Sequence, residues 1–267
     1  MNLHRLHAVL AAGVEQPQLL EQWDRQPGLL SQLGVDPSGL DLAALRKFAG
    51  LTVKVRHNPL REQMPLSFRL MSIASIEIDM FADYAMFRSK RQLRYATSAA
   101  ARAGDLLDFL ADWIDPAKRE QLLLWDVIRY EDAIARLGPW LEQTPEAVDN
   151  SVTACPRLRG TVLLHELQSD PRALADMLYT SAPDLSRVPL QPQHLCFWRA
   201  PESDQAAVLT LDELGFYLLS MLDGQRSVSA LTQCLGGGRD ARNAVSRGLR
   251  AFSKLGIVIL PDRIRRH

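Results

Sequence analysis

Long apolar runs are missing from this sequence: no stretch approaches the roughly 18 to 20 consecutive apolar residues that a membrane-spanning helix needs. Near the start, only Ala8 to Val14 is apolar, and no small-residue cleavage site follows it, so it reads as an amphipathic helix and not as a signal peptide. Cysteine is scarce. Three cysteines, Cys155, Cys196 and Cys234, are odd in number and widely spaced, which excludes a disulfide framework or a paired zinc or redox motif and implies a reducing compartment. Net charge is absent as well: 31 basic residues meet 31 acidic ones, so no global field draws the chain to nucleic acid or an anionic membrane, and any electrostatic preference must be local. There is no G-x-G-x-x-G, Walker loop, H-E-x-x-H or serine elbow. Gly236-Gly237-Gly238 lacks the Lys-Ser/Thr of a phosphate loop and reads as a connector. These absences predict a soluble, cytoplasmic protein without a membrane or nucleic-acid partner and without a complete catalytic site of its own.

What is present is ordinary globular material. Hydrophobic residues make up 47% and charged residues 23% of 267 positions, enough to bury two cores without staples. The pattern predicts a mainly α chain with a small α+β part: a helical bundle over residues 1–140, a linker over 141–160 and a winged-helix unit over 161–267. In the first part Leu3, Leu6, Val9 and Leu10, then Leu19, Leu20 and Trp23, recur at helical spacing, with Gly34 as a stop. Asp36-Pro37-Ser38-Gly39 is a turn, and Asp41 caps a helix that Pro59 should end, with Asn58 at the boundary. Ile73, Ile76, Met80, Phe81 and Tyr84 share one helical face; Leu93, Ala96, Ala100, Ala103, Leu107 and Leu110 share another. Asp115-Pro116 has the form of an N-cap followed by a first helical residue.

Beyond the linker, Thr161 to Leu167 reads as a strand and Asp170-Pro171 as a helix start. Pro183, Pro189 and Pro192 mark a loop. His194 to Trp198 and Ala206 to Leu211 form a hairpin around Pro201 to Asp204. Three helical stretches follow, Asp212 to Leu222, Ser227 to Leu235 and Ala241 to Leu255, then Gly256 and an Ile257 to Leu260 strand, which is a winged-helix order.

The six histidines do not reach metal-ligand spacing; His165-Glu166 comes nearest, but strand neighbours point to opposite faces. The sequence therefore predicts no metal or other cofactor in this chain. Cations and an amide crowd one helix end, Lys54 to Arg61. This reads either as a solvated C-terminus complementing the macrodipole or as a partner-binding corner of Arg56, His57, Asn58 and Arg61, with the arginines offering bidentate bonds to carboxylates. Trp125, Asp126, Arg129, Tyr130 and Glu131 read as ion pairs supporting the bundle. The basic run Arg88 to Arg94 reads as a solvated helix start.

Two stretches carry a resemblance. Leu211-Asp212-Glu213-Leu214, Leu218 to Gly224, Ser227-Val228, Leu231, and Leu249, Phe252, Leu255-Gly256-Ile257-Val258 resemble the PqqD-like winged-helix peptide-recognition domain. Arg56-His57-Asn58-Pro59-Leu60, Ile76 to Phe81, Phe109-Leu110 and Trp125 to Glu131 resemble the MbnC/TglI-like accessory subunits of peptide-modifying iron oxygenases. The resemblance implies the non-catalytic half of a heterodimer. Its TIM-barrel partner carries a multinuclear iron site and acts on the cysteine of a ribosomally made precursor peptide. The long lead-in and the winged helix tilt the likeness towards the TglI-like group, which excises a cysteine β-carbon in 3-thiaglutamate biosynthesis; in the methanobactin group the complex builds an oxazolone and a thioamide.

A small hairpin sheet should leave an edge unpaired, and Leu195 to Arg199, beyond the proline run, is the strand expected to offer it. A precursor's leader would add there as a strand along Leu195, Phe197 and Arg199, its side chains entering a groove near Val245, Leu249 and Phe252, with Arg242 and Arg250 meeting acidic leader residues. The competing reading is a DNA-binding regulator whose third helix, with Arg239, Arg242, Arg247 and Arg250, enters a major groove. Net neutrality weighs against it.

Overall fold

The structure, a computed structural model, describes residues 3–91, 98–138, 155–199 and 205–261, and divides into two compact units, Met1–Ile128 and Arg129–His267. The chain is mainly helical with a small sheet, as its patterning predicts. The expected residues Leu93 and Ala96, most of the linker and the Pro201–Asp204 turn lie outside the described residues.

In the first unit the described elements are helical: α1 (Leu3–Glu15), α2 (Pro17–Arg25), α3 (Gly28–Gln32), α4 (Leu42–Arg56), α5 (Asn58–Gln63), α6 (Pro65–Ile73), α7 (Glu77–Lys90), α8 (Ala99–Trp113) and the start of α9 (Arg119–Leu137). Pro17 and Pro65 open α2 and α6, where a missing N–H costs nothing. The predicted caps form: the Asp41 carboxylate accepts from the Ala44 N–H at 2.9 Å, and the Asp36 carboxylate accepts from Ser38 in the turn before it. Val9, Leu20, Trp23, Leu30, Val35 and Ala49 pack one core among α1 to α4. Gly13 is required there, because a Cβ at that position would lie 2.6 Å from the Leu20 side chain.

The helix capped by Asp41 ends at Arg56 with Asn58 at the boundary, as expected, and Pro59 is the second residue of the next helix, α5, which begins at Asn58 directly after the turn at His57. Proline is tolerated in a first turn, so the chain bends and continues. Asp115-Pro116 does not start α9. The Asp115 carboxylate accepts from the Ala117 N–H at 3.0 Å in a local turn, and the helix begins at Arg119.

The second unit begins with the last turns of α9, ahead of the linker expected at 141–160. Its sheet runs in the order β2-β3-β4: β2 (Val162–Ser169), β3 (Leu190–Arg199) and β4 (Ala206–Leu211), all antiparallel. Between β2 and β3 lies α10 (Pro171–Leu178), capped by Asp170. After β4 come α11 (Glu213–Ser220), α12 (Val228–Cys234) and α13 (Gly238–Lys254), then β5 (Val258–Ile259). Asp212 and Ser227 cap the first two of these helices, and Gly256 ends the third with φ 76°. β5 pairs with β1 (Arg157–Leu158), so residues assigned by sequence to the linker belong to this fold.

The sheet is packed on both faces. Leu164, Cys196, Trp198, Leu209 and Leu211 join Leu218, Leu231, Val245, Leu249 and Phe252 of the helices in one core. Leu163, Leu195, Phe197 and Val208 face the other way, onto Tyr130, Ala133, Ile134 and Leu137 of α9. That is why β3 reads Leu-Cys-Phe-Trp without alternation: a strand covered on both sides is apolar at every position. Each such large side chain contributes about 1.5–3 kcal/mol by burial. Of the prolines predicted to mark a loop, Pro183 and Pro189 lie outside the strands as expected, whereas Pro192 is part of β3. Pro192 sits where the β2–β3 register slips, between Leu167↔Gln193 and Ser169↔Leu190, a place where a strand accepts a residue without an N–H.

Candidate functional site

The sheet order decides which strand can receive another. β3 is central, with β2 on one side and β4 on the other, so Leu195, Phe197 and Arg199 offer no free edge; this corrects the strand assignment made from sequence. Leu195 and Phe197 are buried core residues. Arg199 turns its guanidinium onto the end of α9, donating from Nε to the Leu137 carbonyl at 3.1 Å and from Nη2 to the Gly138 carbonyl at 2.7 Å. Those carbonyls have no partner within the helix, so the arginine fills the role of a C-cap.

The two outer strands differ. On β2, Arg129 of α9 donates from Nη1 to the Glu166 carbonyl at 3.0 Å and from Nη2 to His165 Nδ1 at 3.1 Å. Burial first, then Arg129 and Arg136, pull the His165 imidazole down to about 4, which keeps it a neutral acceptor. On β4, the strand Ala-Ala-Val-Leu-Thr-Leu has a β partner only on its β3 side among the described residues. It carries no charge, no proline and no bulge, the features that usually blunt an edge.

Helix α13 packs against the same sheet face that β4 helps to form, through Val245, Leu249 and Phe252. These three are core residues and do not line an open groove, contrary to the expectation from sequence; the short-period pattern that marked them records the buried stripe of an amphipathic helix. The exposed surface of α13 carries cations. Arg239, Arg242, Arg247, Arg250 and Lys254 are exposed, and among the described residues none of them has an ion pair. Elsewhere arginines are matched internally, as in Arg46–Asp24, Arg88–Asp105, Arg136–Asp132 and Arg226–Asp223. Of the sequence-predicted peptide contacts, Arg242 and Arg250 therefore stand at the surface, and among the described residues the outer strand of the hairpin is β4, not β3 as expected from sequence.

The Arg56–Arg61 corner of the first unit also splits. His57 is 5% exposed and stacks on Phe81, ring centroids 4.0 Å apart and 15° from parallel. Burial, reinforced by Arg56, Arg102, Arg88 and Arg61, pulls its imidazole down to about 3. Arg61 pairs with the buried Glu77 and lies over the Phe68 ring. Both residues hold the bundle together. Asn58 is exposed, and Arg56 is half-buried at one end of a groove between α1 and α4.

Tyr130 meets Phe197 edge to face, and Arg129 is spent on β2, so the Trp125–Glu131 segment contributes packing and a helix–sheet clamp. The three cysteines are free. Cys196 is buried and its thiol is pushed up to about 12 by that burial, the opposite of an activated nucleophile. Among the described residues no group of three His, Cys, Asp or Glu side chains is placed to hold a metal ion, and no helix is long and apolar enough to cross a membrane. Compared with known protein families and with curated proteins, the chain matches none.

Proposed function

We propose that this chain is a non-catalytic, cytoplasmic subunit that binds the leader of a ribosomally made precursor peptide and presents its cysteine to a TIM-barrel partner carrying a multinuclear iron site. One observation supports the reading above all: β4 is an edge strand without charge or proline, and the helix packed on its sheet exposes five cations. An extended peptide adding to that edge gains main-chain hydrogen bonds, and acidic residues in it meet Arg242 or Arg250. Strand addition supplies affinity with little sequence demand, while the charges set direction and encounter rate. The resemblance to MbnC/TglI-like subunits supplies the rest of the proposal: the iron, held by the partner, and the TglI-like reaction, β-carbon excision from cysteine, in preference to methanobactin-type oxazolone and thioamide formation. Co-expression with the proteins encoded beside it, followed by pull-down and iron analysis, tests this. An iron protein should co-purify with the chain, and mass spectrometry should show a precursor altered at cysteine only when both are present. Modification of the precursor by the iron protein alone at the same rate would remove the subunit from the mechanism.

The same five cations favour a second reading, a winged-helix DNA-binding regulator with α13 as the reading helix. A salt-titrated shift assay separates the two: binding to duplex DNA whose affinity falls steeply with salt supports the regulator, and no shift at low salt removes it.

A further inference from the structure

We propose that the groove between α1 and α4 is a docking site for a helix of a partner protein, apolar on the side that enters and acidic along the flank that meets α4. This rests on the reading of the chain as a subunit and gives that subunit a second surface, separate from the peptide edge.

The groove, about 420 Å³, has Leu10, Val14, Leu45 and Phe48 on its walls and Glu15 and Arg56 as its charged residues. Its apolar surface continues along α4. Phe48, Leu51 and Val55 are 57%, 58% and 60% exposed, although large aliphatic and aromatic side chains at such spacing are normally the buried stripe of a helix. Positions 48, 51 and 55 lie three and four residues apart and so fall on one face. α4 already buries a different face, through Ala49 and Leu45, against α1 and α2. It therefore carries two apolar stripes, one satisfied within the unit and one not. A lone exposed leucine needs no explanation, but three in register beside a concave apolar wall form a patch of the kind that marks an interface.

The charges select the occupant. The α4 sequence contains Arg46, Lys47, Lys54 and Arg56 and no acidic residue. Arg46 is committed to Asp24 at 2.7 Å, whereas Lys47 is exposed and has no ion pair among the described residues. A helix with apolar residues at i, i+3 or i+4 and i+7 fills the groove and covers the stripe, and glutamates on its flank meet the exposed Lys47. A lipid surface fits less well, because a bilayer accepts a convex apolar face and cannot fill a groove. A second copy of this chain would bring cation against cation along α4.

The test uses the full chain and two synthetic, fluorescein-labelled 18-residue helices with the same leucines at i, i+3, i+4 and i+7. One carries glutamate on its flanks, the other lysine. The glutamate helix should bind at least ten-fold more tightly by fluorescence anisotropy, and Leu51→Glu should abolish its binding with no change in the melting temperature of the chain, since that side chain is exposed. Phe48→Ser gives a second, uncharged disruption and should weaken binding at least ten-fold. Equal binding of both helices, or of neither, overturns the inference. So does Leu51-dependent sedimentation with phosphatidylcholine–phosphatidylserine vesicles, or a Leu51-dependent dimer in analytical ultracentrifugation. Because neither peptide is a precursor or an iron protein, the groove can fail while the subunit reading stands, and the reverse.

Discussion

Arg199 on β3 donates to the Leu137 carbonyl at the end of α9, and with its second bond to Gly138 it fixes the helix that covers one whole face of the sheet. The arginine does two jobs at once, satisfying carbonyls left over by the helix and placing a cation at the negative end of its dipole. Arg199→Ala should cost about 1.5–3 kcal/mol, the range for hydrogen bonds to a charged group. Arg199→Lys keeps the charge but lacks the planar fork, so it should recover less than half of the loss. Urea unfolding midpoints read both; an unchanged midpoint for the alanine variant would mean that the helix is held by Tyr130 and Leu137 packing alone.

One buried and one half-buried imidazole give the chain an acid limit. His57 and His165 are pulled down from 6.5 to about 3 and about 4, so both are neutral in the folded chain where the unfolded chain would be protonated. Below pH 6.5 the unfolded state binds more protons, and stability is lost as pH falls, through about 4 for His165 and on to about 3 for His57. For the buried His57 the slope approaches about 1.4 kcal/mol per pH unit. Above pH 6.5 neither group contributes a slope. Melting temperatures recorded from pH 7.5 to 4.5 should fall on the acid side only, and less so in His165→Gln, which keeps an acceptor for Arg129 but does not titrate.

How much of this was legible in the sequence depended on whether a signal was local. Caps and stops such as Asp41, Asp170, Ser227 and Gly256 act within a turn or so of chain, and each is found in its predicted role. The helical period of α13 was equally local, but its apolar stripe of Val245, Leu249 and Phe252 was assigned to a peptide groove when it belongs to the core. What failed was everything that required knowing a distant neighbour. Leu195 and Phe197 look like an edge strand's apolar face until β2 is seen on their far side, and nothing near residue 195 announces residue 164. Arg61 and His57 look like solvated cations until Glu77 and Phe81 are brought beside them from α7. One signal was available and unused: four consecutive apolar residues in β3 already implied cover on both faces.

The thiols should separate by burial. Cys234 is exposed, Cys155 is half-buried with its Sγ donating to the Gln225 carbonyl at 3.2 Å, and Cys196 lies within the sheet's core. Under native conditions at pH 8, iodoacetamide should label Cys234 first and Cys155 more slowly. Cys196 should react only after unfolding, because burial both blocks access and disfavours the thiolate. Native labelling of Cys196 at a rate matching Cys234 would show that the β2–β3–β4 sheet opens readily.

Strand addition at β4 makes a prediction that simple groove binding does not. In a paired strand the N–H and C=O of one residue point to the same neighbour, and the next residue points away, so only alternate leader residues can bond to β4. Proline substituted at each leader position in turn should therefore weaken binding with a period of two, by about two- to twelve-fold wherever a donor is lost, the factor that corresponds to roughly 0.5–1.5 kcal/mol per hydrogen bond. The affinity itself should be near micromolar, about −8 kcal/mol, because a handful of main-chain bonds must offset the ordering of a free peptide. Charge enters separately. Arg242→Glu and Arg250→Glu lie at exposed positions of α13, so they should leave the unfolding free energy within about 0.5 kcal/mol of the parent while weakening an acidic leader and flattening its salt dependence. A proline scan without alternation, combined with full loss in the arginine variants, would mean that the peptide is held by side chains on α13 and that the β4 edge is empty.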